Sequence, residues 1–117
     1  FTYIDDIVEP IVRLVAKPAT SDNSFDFMKP DAGTSPAPWR IFNIGNGKPS
    51  TLMDYIYALE SALSIKAKKR YTEMQAGDVL STSADTSRLK NWVNFKPGTS
   101  IEYGIQKFVE WYQDTYR

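Results

Sequence analysis

Apolar residues recur at helical spacing in several stretches of this chain and at shorter spacing in two or three others. Ile4, Val8, Ile11 and Val15 follow at intervals of three or four, which predicts a first helix with one buried face. Asp5 and Asp6 suit its start, where carboxylates accept from free amides and oppose the helix dipole. Pro10 removes one backbone bond inside it, so a bend is expected, or a helix regular only beyond that point. Pro18 disfavours helical geometry at Lys17 and sets the expected end.

Residues 18–38 show no period and carry four of the seven prolines, which predicts a long loop with Phe25, Phe27 and Met28 pinning its middle. Residues 39–44, Trp-Arg-Ile-Phe-Asn-Ile, then read as a buried strand, and 45–50, Gly-Asn-Gly-Lys-Pro-Ser, as a tight turn. A second helix over 51–63 follows, capped by Ser50 or Thr51, with Leu52, Ile56, Leu59 and Leu63 as its buried stripe. Residues 66–71 alternate weakly and predict a short strand with Lys66, Lys68 and Arg70 on the wet side; 73–80 read as a loop and 81–84 as another extended piece. Asp85 is placed to cap a short helix from Thr86 to about Trp92. The last helix opens at Thr99 and Glu102, which stand at capping-box spacing, and Ile101, Ile105, Phe108, Val109 and Tyr112 line one side of it. The fold class expected is α/β, or α+β when the segment is taken in isolation, with about four helices and two or three short strands.

Composition narrows the chemistry. The 117 residues include no cysteine and no histidine, which removes disulfides, thiolate nucleophiles and Ser-His or Cys-His catalysis, and zinc sites of the usual kind. Lys plus Arg equals Asp plus Glu at 14 each, so no nucleic-acid or membrane surface is expected, and a soluble cytoplasmic protein is the default. The chain opens on a strand-like Phe-Thr-Tyr run that feeds straight into a helix, which suggests a segment of something longer.

Four groups of residues invite a functional reading. Asp5 and Asp6 diverge by about 100 degrees on a helix, so they suit capping better than paired acid and base work. The turn at 45–50 has neither the Walker spacing nor a third glycine, and reads as a plain turn with Asn46 and Gly47 at positive φ. Lys66, Lys68, Lys69 and Arg70 form a basic cluster that reads as a solvated face. Gln75, Gly77 and Asp78 combine an amide, a flexible residue and a carboxylate, the groups needed to grip a ribose, though a turn explains them equally well.

Six short runs tilt that balance: Phe1 to Val8, Asn43 to Asn46, Gln75 to Val79, Ala84 to Ser87, Phe95 to Pro97 and Phe108 to Tyr112. In this order they resemble the C-terminal portion of the extended short-chain dehydrogenase/reductases, and among them the UDP-glucuronate 4-epimerases of polysaccharide and capsule synthesis. The resemblance implies that residues 1–117, with the 18–38 loop as an insertion, are the substrate-binding part of a nucleotide-sugar epimerase. It implies a UDP-sugar ligand, NAD in the full-length parent and no cofactor on this segment, and an N-terminal Rossmann domain as the missing partner. The family's glycine fingerprint and catalytic Tyr-x-x-x-Lys pair belong to that partner, so the segment is expected to lack both, to be inactive alone and to self-associate through uncovered apolar faces. The positions it implies for substrate are Phe1 beside the nucleotide, Leu52 against the uracil, Gln75 facing the diphosphate, Asp78 at the ribose and Thr82 in the sugar pocket. Gln75 stands where related galactose epimerases have arginine, which leaves diphosphate binding weaker here or dependent on other residues. The competing readings are a 4,6-dehydratase segment and a non-catalytic module that binds a nucleotide sugar.

Overall fold

The computed structural model describes residues 1–79 and 81–116. Four helices run in chain order: α1 (Ile4–Ala16), α2 (Leu52–Leu63), α3 (Ser87–Val93) and α4 (Ile101–Tyr116). None of them is long and apolar enough to cross a membrane.

The two or three strands expected are not found among the described residues, whose only sheet-like feature is an isolated antiparallel bridge between Thr34 and Arg40. A strand needs a neighbour to take its amides and carbonyls as well as an alternating pattern. Residues 39–44 keep the alternation, with Arg40, Phe42 and Ile44 half-buried and Trp39, Ile41 and Asn43 exposed, but no second strand lies beside them. They are thus not the buried strand that their apolar content predicts. Residues 66–71 and 81–84 likewise form no strand, and Leu80, the last residue of the expected 73–80 loop, lies outside the described residues.

The core lies between α2 and α4, where Ala58, Ile105 and Val109 are buried and Tyr55, Leu59, Ala62, Leu63 and Ile101 pack around them. Thr51 caps α2 as the sequence predicts: its Oγ1 accepts from Asp54 N at 3.1 Å, and Asp54 Oδ2 accepts from Thr51 N at 2.9 Å. On α4 the cap is Ser100, whose Oγ accepts from Tyr103 N, and not the expected Thr99. Thr99 is otherwise engaged, its N–H donated to Asp6 and its carbonyl accepting from the Asn46 side chain.

The first helix inverts its expected orientation. It runs unbroken through Pro10, which is fully buried, and Asp6 is buried as well, whereas Ile4, Val8, Ile11, Val12 and Val15 face outward, Val15 being 79% exposed. Polar contacts hold this side down. Asp6 Oδ2 accepts from Gly98 N at 3.0 Å and Thr99 N at 2.9 Å, so it secures the start of α4 and does not cap its own helix. Arg13 donates to the carbonyls of Val93 and Asn94 at the end of α3, and Lys17 and Trp92 exchange bonds with each other's backbone. The short helix α3 begins one residue later than expected, with Asp85 Oδ1 accepting from Ser87 N at 2.8 Å.

The 18–38 loop is irregular as expected, built on short turns in which Asp22, Asp26 and Asp31 accept amides two residues on. Phe27 and Met28 do not pin it, being among the most exposed side chains of the chain. It is tied down instead by an ion pair between Asp31 and Arg88, and its exit is held where the Arg40 guanidinium lies 4.7 Å over the Trp92 ring.

The result is an open shell. Its radius of gyration is 18.8 Å, against about 13 Å for a compact domain of this length. Its accessible surface is 9183 Å², against roughly 6,500 Å² for a folded monomer of this mass.

Candidate functional site

Three concavities are shaped by these elements. The first, of about 480 Å³, lies between the opening residues and α4, with Phe1, Tyr3, Tyr55, Lys107 and Trp111 among its walls. Phe1 stacks on Tyr55 with ring centroids 4.4 Å apart. Tyr3 fits closely over Gly104, where an added Cβ would come within 3.3 Å of the Tyr3 ring.

The second, of about 230 Å³, is formed by Phe1, Thr2, the 44–49 turn and residues 82–84. Gly47 takes φ +70 here, and Asn46 does not share the positive φ expected of it. Asn46 works through hydrogen bonds: its N–H donates to Thr2 Oγ1 at 3.3 Å and its Nδ2 to Thr99 O at 2.7 Å. Two of the expected site residues, Phe1 and Thr82, therefore line one cavity.

The third is a cleft of about 540 Å³ between α2 and residues 65–71, and Leu52 lies at its edge, 66% exposed. Gln75 and Asp78 line none of the three. They sit on an exposed turn in which Asp78 N donates to Gln75 O at 3.1 Å and Gly77 takes φ +97, a backbone that a side chain would strain. The structure thus joins Phe1 with Thr82 and keeps Leu52 and the Gln75–Asp78 turn on separate walls.

The strongest electrostatic feature was not foreseen. Glu60 of α2 is buried, its side chain 5% exposed, and accepts from Lys69 Nζ, from Lys66 Nζ at 2.9 Å and from Ala67 N at 3.0 Å. Lys69, Lys66 and the Ala67 amide together hold its carboxyl at about 2, below the ordinary 4.5. Its signal lay in the sequence: position 60 continues the apolar row of Leu52 and Ile56, and lysines follow within nine residues. Lys66 and Lys69 are therefore partners of a buried acid, while Lys68 and Arg70 have no carboxylate partner among the described residues.

A Tyr-x-x-x-Lys spacing does occur, contrary to the expectation, at Tyr103 and Lys107 of α4. Lys107 pairs with Glu110 at 2.7 Å, which raises its pKa, and lies 5.8 Å from the Tyr103 ring centroid. The ammonium is engaged by a carboxylate, and Tyr103 lines none of the three concavities, so the two groups do not converge on one of them. The 44–49 turn does not fit a dinucleotide either. Asn46 N is taken by Thr2, and the turn lacks the third glycine of the dinucleotide fingerprint, Ser50 standing in its place. No cluster of metal-ligating side chains exists among the described residues.

No family model matches the chain. Curated proteins do, and they bear out the resemblance to UDP-glucuronate 4-epimerases read from the motifs. The chain is 45% identical over 117 residues to Protein CapI of Staphylococcus aureus, with all of this chain and 35% of that protein covered. It is 40% identical over 121 residues to a probable UDP-glucuronate 4-epimerase of Rhizobium meliloti, again with all of the chain and 35% of the relative covered. Against UDP-glucuronate 4-epimerase 1 of Arabidopsis thaliana it is 39% identical over 117 residues, 99% of the chain and 26% of the relative. The chain spans about a third of the length of the bacterial relatives it matches.

Proposed function

We propose that this chain is the UDP-sugar-binding part of an NAD-dependent epimerase that acts at C4 of UDP-glucuronate or UDP-galacturonate in the cytoplasm, serving polysaccharide or capsule synthesis. The observation that carries the reading is similarity along the whole chain to proteins named UDP-glucuronate 4-epimerase, with only part of each relative covered. The open shell supports it. An accessible surface roughly 2,700 Å² above that of a folded monomer of this mass is of the size that permanent interfaces bury. Outward apolar residues of α1 and aromatics of α4 supply such an interface, and a Rossmann domain on the N-terminal side is the partner that fits them.

In this reading the chain grips and orients substrate and leaves the hydride chemistry to NAD held by that other domain. Phe1 flanks the nucleotide, Leu52 meets the uracil, Asp78 takes the ribose hydroxyls and Thr82 lines the sugar pocket. Gln75 faces the diphosphate as a neutral amide and leaves the charge to other groups. Closing the other domain over the shell brings these separate walls to one substrate.

The full-length protein containing this chain is expected to interconvert UDP-glucuronate and UDP-galacturonate, followed by anion-exchange chromatography. Residues 1–117 alone should show no turnover, no NAD binding and concentration-dependent self-association. Dehydrogenase-like NAD affinity in the isolated chain would sink the reading, and a 4-keto-6-deoxy product from the full-length protein would replace it with a dehydratase.

A further inference from the structure

Every hydrogen bond that ties residues 65–71 to the rest of the described chain ends on Glu60. Ser64 ends α2 in the left-handed region at φ 54, which turns the chain back, and Ile65 N donates to Glu60 O at 3.2 Å. The Glu60 carboxylate then takes three donors, Lys66 and Ala67 and Lys69, so one side chain fixes the first five of the seven residues of the run.

The lengths match. The 12 residues of α2 rise about 18 Å, and a seven-residue extended run covers about 23 Å. A run of that length can reach back along the whole helix, and Tyr71 lines the same cleft as Leu52, Met53 and Ile56 of the first turns of α2. Gln75 is four residues beyond Tyr71, within about 14 Å of it even when fully extended.

We propose that Glu60 is a positioning residue for the nucleotide-sugar site: by clamping 65–71 against α2 it fixes the point from which the chain runs on to the Gln75–Asp78 turn, and so limits how far that turn can stray from the Leu52 end of the helix. This rests on the reading of the site given above. A carboxylate on the apolar register of a helix contributes little to stability that a hydrophobic residue would not, so its value lies in fixing one geometry. The clamp also consumes two of the four cationic side chains in the run and leaves Lys68 and Arg70 on the wall of the cleft that Leu52 edges, as charges for a diphosphate that the neutral Gln75 does not supply.

The test uses the full-length protein with UDP and UDP-glucuronate as probes. Glu60→Gln keeps the shape but loses the charge and at least one of the three donors. UDP affinity by calorimetry should fall about tenfold, and KM for UDP-glucuronate should rise by a similar factor with kcat within about twofold. Hydrogen exchange should quicken in 65–79 while α4 stays protected. In the unaltered protein, UDP should slow exchange in 65–71 as well as in 75–79. Unchanged affinity and KM in the variant overturn the positioning role and leave the site reading intact. Loss of protection throughout α4, or no effect of bound UDP on 65–71, overturns it as well, and failure of the unaltered protein to bind UDP overturns both.

Discussion

Glu60 shows how a single residue can be decisive and still be hidden from a pattern search. Its folded pKa of about 2 lies below the ordinary 4.5, so the clamp's contribution is fully present above about 4.5 and is lost as pH falls through about 2. Acid titration followed by NMR at the Glu60 side chain should show a midpoint near 2 in the folded protein; a midpoint at the ordinary value would mean the lysines do not hold it. Asp6 was as easily misread. Its place at a helix start argues for capping, and only the fold reveals that its acceptor serves amides more than 90 residues on. Asn46 likewise has the look of a turn residue, while its work is to bond Thr2 and Thr99 across the molecule. In all three cases residue type was informative and the partner, set by tertiary structure, was not.

At the scale of elements, the helices were legible and the strands were not. Helical bonds close within four residues, so spacing and caps in the sequence suffice to place α2, α3 and α4 to within a residue or two. A strand is completed by another segment, and residues 39–44 carry the alternation without one. Which face of a helix is buried also depends on neighbours. The apolar row of α1 was read correctly as a row and wrongly as buried, because Asp6 and Arg13 on the other side bind α4 and α3. The capping box of α2 is local and so was predictable, and it makes a clean test. Thr51→Ala should destabilise the protein by about 1 kcal/mol, read as a lower midpoint in urea, while the m-value stays fixed. A larger loss would place Thr51 in a wider network than its own helix.

The described residues form a shell with a modest buried cluster between α2 and α4 and further buried side chains, Pro10, Leu89 and Val93, on α1 and α3, and the candidate site follows that plan. Phe1 and Thr82 line one cavity because the 43–46 stretch is bonded to both segments, Asn46 to Thr2 and Asn43 to Asp85, whereas Leu52 and the Gln75–Asp78 turn stand apart. The sequence carried the identity of these side chains through resemblance, but their separation depends on long-range packing that no local pattern encodes. The attachment of α1 has a consequence in time. Its hydrogen bonds to the rest of the chain span 75 to 93 residues, whereas the capping box and Glu60 clamp of α2 close within nine. Contacts of such sequence separation carry the larger loop-closure entropy and are expected to form later. Refolding of the full-length protein under pulsed hydrogen exchange should protect α2 and α4 before α1, and simultaneous protection would rule that order out. Until α1 docks, the start of α4 lacks the carboxylate that secures it, so the youngest part of the nascent fold is the one that locks the oldest.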